Sequence, residues 1–154
     1  GKIVKGAEKT LFKSGRGPAE VMDLVPMTRI KSYDPMEEFI KDMKSLSDPN
    51  RVKLLKILQA RSLCVCEIQA LLEIAQPTVS KHLKVLEDAG LVTFTKDGLW
   101  VNYRLADGGR SPYAAAILGN LRHWLGDDEE IRRLLEKAPA VNREQICQKV
   151  RTGK

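Results

Sequence analysis

The sequence predicts a mainly α-helical fold with one small β-hairpin, and three observations carry that expectation. Apolar residues recur at helical spacing behind proline-marked starts over most of residues 34–125. The period changes once, to strand-like alternation, in two runs that flank Lys96-Asp97-Gly98. Hydrophobic residues make up 43% of the 154 residues, enough to bury a core and sized for one ordinary domain.

The elements follow in chain order. Residues 1–26 show no sustained period and are broken by Gly15, Gly17 and Pro18, so they read as a leader or flexible arm, with Met27 a candidate start. Residues 27–126 read as the working domain and 127–154 as a C-terminal helical extension. Pro35 at a first-turn position, then Met36, Phe39, Ile40 and Met43, predict an amphipathic helix to about Leu46. Asp48-Pro49 caps a second, carrying Val52, Leu54, Leu55, Ile57 and Leu58. A short helix is expected over Cys64–Leu72, and after a break at 73–75 a longer one from Gln76-Pro77 to Ala89, stopped by Gly90. The hairpin runs are Leu91–Thr95 and Leu99–Leu105. Ser111-Pro112 opens a helix with an Ala114, Ile117, Leu118, Leu121, Leu125 stripe, and Asp127 with Glu130 predicts a capping box for Ile131–Lys137. Val141–Val150 reads as a helix or a frayed tail.

The formal charge is +6 and the isoelectric point about 9.3; residues 1–26 contribute five positive and three negative charges, leaving about +4 on the rest. A basic excess fits a polyanionic partner, because each Lys or Arg that meets a phosphate releases a counterion. No apolar run approaches the ~18 residues of a membrane span and no cleavable leader pattern is visible, so the chain is expected in the cytoplasm, with no membrane partner. Three cysteines in such a chain suit a ligand site or reactive thiol better than disulfides.

Short helix, tight break, longer helix and hairpin is the order of a winged helix-turn-helix, in which the second helix enters the major groove and the hairpin reaches the flanking backbone. With Val79 facing the core, Leu83 and Leu86 lie within about 40° of it. Ser80, Lys81 and Lys84 fall opposite, and Thr78 lies at the margin. That face suits base contacts from Gln76, Thr78 and Ser80 and phosphate contacts from Lys81 and Lys84. Lys96 and Arg104 on the hairpin are candidate phosphate contacts, and His82, about 60° from the core direction, is a packed or phosphate-bonded histidine. Solvated lysines on a helix face are the ordinary alternative; the surrounding helix order favours DNA.

Leu46–Arg51, Gln76–Leu86 and Gly98–Leu105 together resemble the ArsR/SmtB family of metal-sensing repressors, over roughly residues 34–125. The resemblance implies a homodimer that binds a palindromic double-stranded operator and leaves it when inducer binds. It also implies a dimer interface from the Ala114/Ile117/Leu118/Leu121/Leu125 stripe with the Met36/Phe39/Ile40/Met43 helix, although the same stripes could serve as intrachain core.

Cys64-Val65-Cys66-Glu67 opens the helix before the recognition helix, with Cys64 where a capping Ser or Thr would stand and Glu67 three residues on. Inside a helix residues two apart diverge by about 200°, so the two sulfurs converge only if the first turn yields. Ligation and a well-formed helix start therefore compete. The helix terminus is expected to favour thiolates, the form that binds soft ions. Leu63–Glu67 is similar to the arsenic-responsive branch of the family, which implies As(III) or Sb(III) as inducer, with no resident cofactor. A third cysteine expected three residues after Cys66 is replaced by Gln69, which leaves two readings: Cys64 and Cys66 with solvent or an exogenous thiol, or Cys147 as third ligand. Zinc is less favoured: a resemblance to the zinc-sensing branch would imply Asp and His ligands on the helix near the C-terminus, and residues 111–125 offer only His123. A small organic metabolite or thiol oxidation is the alternative signal. No anion loop, partnered nucleophile or glycine-rich strand-to-helix turn suggests an enzyme.

Overall fold

The protein, seen in a computed structural model, is described over residues 33–151, excepting the side chains of residues 147 and 149–151. The expected leader at 1–26 and its boundary at Met27 lie outside the described residues. Along the chain run α1 (Pro35–Lys44), α2 (Pro49–Leu58), β1 (Leu63–Cys64), α3 (Val65–Leu72), α4 (Gln76–Asp88), β2 (Val92–Asp97), β3 (Trp100–Leu105), α5 (Pro112–Leu121), α6 (Glu129–Lys137), a 3₁₀ turn (Ala138–Ala140) and α7 (Arg143–Arg151). None of the described helices is long and apolar enough to cross a membrane.

Caps set the helix starts. Asp48 Oδ1 accepts the Asn50 N–H at 2.8 Å ahead of α2, and Ser111 Oγ accepts the Ala114 N–H at 2.9 Å ahead of α5. The cap of α6 is Asp128, which accepts the Ile131 N–H at 3.0 Å, one residue later than expected from Asp127. Glu73 closes α3 in the left-handed region at φ 57, its N–H bonded to Gln69 O, and this turns the chain sharply into α4. Gly90 (φ 75) follows α4; a Cβ there would stand 2.6 Å from the Arg110 side chain, so glycine fits on both counts.

The hairpin registers Val92 on Leu105 and Asp97 on Trp100, so its two-residue turn is Gly98-Leu99, with Gly98 at φ 62. Lys96 and Asp97, expected in the turn, lie in β2; a Gly-X turn suits the right-handed twist of the strands. The sheet also has a third strand: β1 pairs antiparallel with β3, Leu63 on Tyr103 and Cys64 on Asn102, in the order β1-β3-β2.

One core gathers Leu54, Leu55 and Ile57 of α2, Ile68 of α3, Val79, Leu83 and Leu86 of α4, Ala114, Ile117 and Leu121 of α5, and Leu134 of α6. Ala114, Ile117 and Leu121, three of the five residues of the expected dimer stripe, thus pack inside the chain, while Leu125 stays exposed past the end of α5. The second half of α2 is buried on every side, including Lys56. Its Nζ donates at 2.8 Å to both Leu121 O and Trp124 O, capping the C-terminal end of α5 and satisfying a cation that burial alone penalises.

Candidate nucleic-acid interface and cysteine site

Helix α4 divides along its length as the sequence requires. Val79, Leu83 and Leu86 are buried, while Gln76, Thr78, Ser80, Lys81 and Lys84 are exposed on one side. Lys96 and Arg104 are likewise exposed on the hairpin. Lys84 Nζ pairs with Asp88 Oδ1 at 3.0 Å one turn on, so its charge is partly answered within the helix.

Of the two alternatives for His82, packed or phosphate-bonded, the structure shows the packed one. It is buried at 8% exposure, with Nδ1 3.4 Å from an Arg51 guanidinium nitrogen and Nε2 3.8 Å from Asp48 Oδ1. Arg51 in turn donates to Ser45 O at 2.7 Å and Lys44 O at 3.2 Å. His82 therefore ties the recognition helix to the turn between α1 and α2 rather than facing outward. Burial alone would raise the Asp48 carboxyl, but the Asn50 N–H and the neighbouring His82 and Arg51 outweigh it and hold it below the usual range.

The cysteine site is a reciprocal capping box built with a sulfur. Cys64, extended at φ −87 and ψ 168, donates its N–H to Glu67 Oε1 at 3.0 Å, and the Glu67 N–H returns a bond to the Cys64 sulfur. Glu67 is buried, and its other oxygen takes Arg61 at 3.1 Å. Cys64 is buried and Cys66 half-buried; neither forms a disulfide. Burial pushes the Cys64 thiol up to about 11; the Glu67 N–H acts against this, and the Glu67 carboxylate adds to the rise. The expectation of a thiolate at Cys64 is thus corrected: the pull of the helix terminus loses to desolvation and a carboxylate on the same turn.

Among the described residues no three His, Cys, Asp or Glu side chains come together as a metal site. The donors on offer are two thiols, soft ligands that suit a thiophilic ion but do not make a tetrahedral zinc site without further ligands. Cys147 lies on α7, a helix that packs against α3; its side chain is outside the described residues. Three residues that sequence reasoning passed over also meet here. Arg61 joins Glu67 to the carbonyls of Ala138 and Val141, and Arg143 bonds Asn102, the strand partner of Cys64. Apart from the Arg61–Glu67 pair, six residues apart, their partners lie 41 to 80 residues away, so local spacing does not mark them.

Comparison with known proteins agrees with this architecture. Residues 48–93, from the cap of α2 into β2, match the family described as bacterial regulatory protein, arsR family. The chain is 40% identical over 72 residues to an uncharacterized HTH-type transcriptional regulator of Methanocaldococcus jannaschii, covering 46% of this chain and 81% of that protein. It is 30% identical over 106 residues to the arsenical resistance operon repressor of Escherichia coli, covering 67% and 86%. To the cadmium resistance transcriptional regulatory protein CadC homolog of Staphylococcus aureus it is 32% identical over 116 residues, covering 75% and 78%. The crystal structure of the transcriptional repressor BigR from Xylella fastidiosa shares the fold, with a TM-score of 0.50 at 24% identity over 72% of this chain and 97% of that one. These relatives are transcriptional regulators, not enzymes, and the chain belongs with them to the ArsR family as a transcriptional repressor with a winged helix-turn-helix DNA-binding domain.

Proposed function

We propose that this repressor works as a homodimer on a double-stranded operator and leaves it when As(III) or Sb(III) binds Cys64 and Cys66. The observation that carries this reading is the position of Cys64: its sulfur and N–H form both halves of the box that starts α3, the helix immediately before the recognition helix α4. To bring the two sulfurs onto one ion, the first turn of α3 must open, which costs the box and moves the segment that seats α4. A protonated Cys64 does not oppose this, because each As–S bond formed from arsenous acid and a thiol releases one water. The name of the Escherichia coli relative, an arsenical resistance operon repressor, supports the metalloid reading.

Operator contact is assigned to Gln76, Thr78 and Ser80 at base edges and to Lys81, Lys84, Lys96 and Arg104 at phosphates, with His82 positioning the helix. Self-association is assigned to α1, where Met36, Phe39, Ile40 and Met43 are 37–68% exposed, a run of apolar surface that a second copy would cover. Cys147 is the candidate third ligand, on the helix packed against α3.

X-ray absorption at the arsenic edge of the arsenite-loaded full chain tests the ligand set. Three sulfur neighbours are expected, falling to two in Cys147→Ser. An unchanged count in that variant removes Cys147 from the site, and an all-oxygen shell rejects the metalloid reading.

A further inference from the structure

Beyond the recognition helix and the cysteines, two arginines stitch the C-terminal segment to both the sensor helix and the wing. Arg61, just ahead of β1, binds Glu67 Oε2 at 3.1 Å and also donates to Ala138 O at 3.0 Å and Val141 O at 2.7 Å. Five residues after Ala138, Arg143 donates to Asn102 Oδ1 at 2.9 Å, stands 3.7 Å from Asp97 Oδ2 and lies 5.1 Å over the Trp100 ring. Asp97 and Trp100 are the last pair of the hairpin before its turn, and Asn102 is the residue that faces Cys64 across the sheet.

The grip is chemically well matched. One guanidinium offers a donor to an amide, a second nitrogen to a carboxylate and its face to an indole, three interactions that an ammonium could not make together. The hairpin is otherwise lightly held: Leu99 at its turn is 84% exposed and the side chains of β2 from Phe94 onward are exposed. Beyond the Leu63–Tyr103 and Cys64–Asn102 pairs that join it to β1, the hairpin is a two-stranded ribbon, which is marginal by itself and takes its orientation from whatever braces its base.

We propose that residues 138–151 act as a strap that fixes the attitude of the wing, with Arg143 as a positioning residue for DNA binding and Arg61 as the strap's anchor on the α3 capping box. Arg143 does not touch DNA; it acts through Asn102, Asp97 and Trp100. Because Arg61 shares Glu67 with the Cys64 N–H, opening the box alters the anchor of the same strap. That second link rests on the cysteine reading above, whereas the bracing of the wing does not.

The test measures binding of the full chain to a duplex selected by the wild type from a random pool, across a series of salt concentrations and without arsenite. Arg143→Ala is expected to weaken binding by about tenfold, the loss of a partly buried cation–π contact and a charged hydrogen bond. The slope of log affinity against log salt is expected to stay at the wild-type value, because no phosphate contact is lost. Asn102→Ala is expected to act similarly, and the double variant to bind no worse than about the weaker single one, since the two share one interaction. Unchanged affinity in Arg143→Ala overturns the proposal. So does a slope reduced by about one, which would make Arg143 a phosphate contact, and so does strict additivity of the two substitutions. A thermal unfolding midpoint that drops together with affinity in Arg143→Ala, but not in the milder Arg143→Lys, assigns the loss to folding and likewise overturns it. Affinity lost with the midpoint retained supports it. None of these readings depends on arsenite, so a failed strap and a failed metalloid sensor are told apart.

Discussion

Lys81→Glu is expected to lower operator affinity by about a hundredfold near 0.1 M salt, with Lys81→Ala lowering it by about tenfold. Lys81 is exposed on α4, on the face opposite Val79, Leu83 and Leu86, and shares that face with Ser80 and Lys84. Alanine removes one charge from the phosphate contacts and flattens the salt slope by about one unit; glutamate adds repulsion against the same phosphate. Lys84→Ala is expected to do less than Lys81→Ala, because Lys84 is already held by Asp88 at 3.0 Å. Since all three substitutions sit at exposed positions, circular dichroism and the unfolding midpoint are expected to match wild type. Equal affinity of Lys81→Glu and wild type, in fluorescence anisotropy on a selected duplex, removes this face of α4 from the DNA.

Glu67→Ala is expected to lower unfolding stability by about 2–4 kcal/mol, measured by urea denaturation. The carboxylate is buried and answers two donors, the Cys64 N–H at 3.0 Å and Arg61 at 3.1 Å. Alanine leaves the N–H orphaned at a buried helix start and leaves Arg61 with its carbonyl partners alone. Arg61 is 37% exposed, so solvent screens its share, and most of the loss belongs to the cap. Glu67→Gln keeps an acceptor for the Cys64 N–H and is expected to cost only about 1 kcal/mol. Equal losses in the two variants would mean that the charge on Arg61, not the cap, dominates.

The parts of this molecule legible in its sequence are those decided locally. Asp48, Ser111 and Gly90 mark helix ends because their chemistry acts within three residues, and the buried and exposed faces of α4 follow from a 3.6-residue period alone. Cys64 at the cap of α3 was visible for the same reason. What escaped was decided at a distance. The strand β1 is two residues long, too short for any alternation, and exists because Cys64 meets Asn102 across the sheet. For His82 the sequence leaves packing and phosphate contact both open, and the choice of packing is made by the turn carrying Asp48 and Arg51. Asp127 and Asp128 are adjacent acids with nearly the same capping pattern, and the chain selects the second. The high pKa of Cys64 depends on burial, which no helix-terminus argument contains.

Arsenite titrated into the repressor–operator complex tests the central claim most directly, with Cys64→Ser/Cys66→Ser measured beside wild type. The wild type is expected to lose at least about a hundredfold in affinity, the range in which a coupling near 3 kcal/mol acts, while the double variant binds the operator normally and does not respond. Equal release of both proteins, or of neither, would contradict a switch built on the capping box of α3.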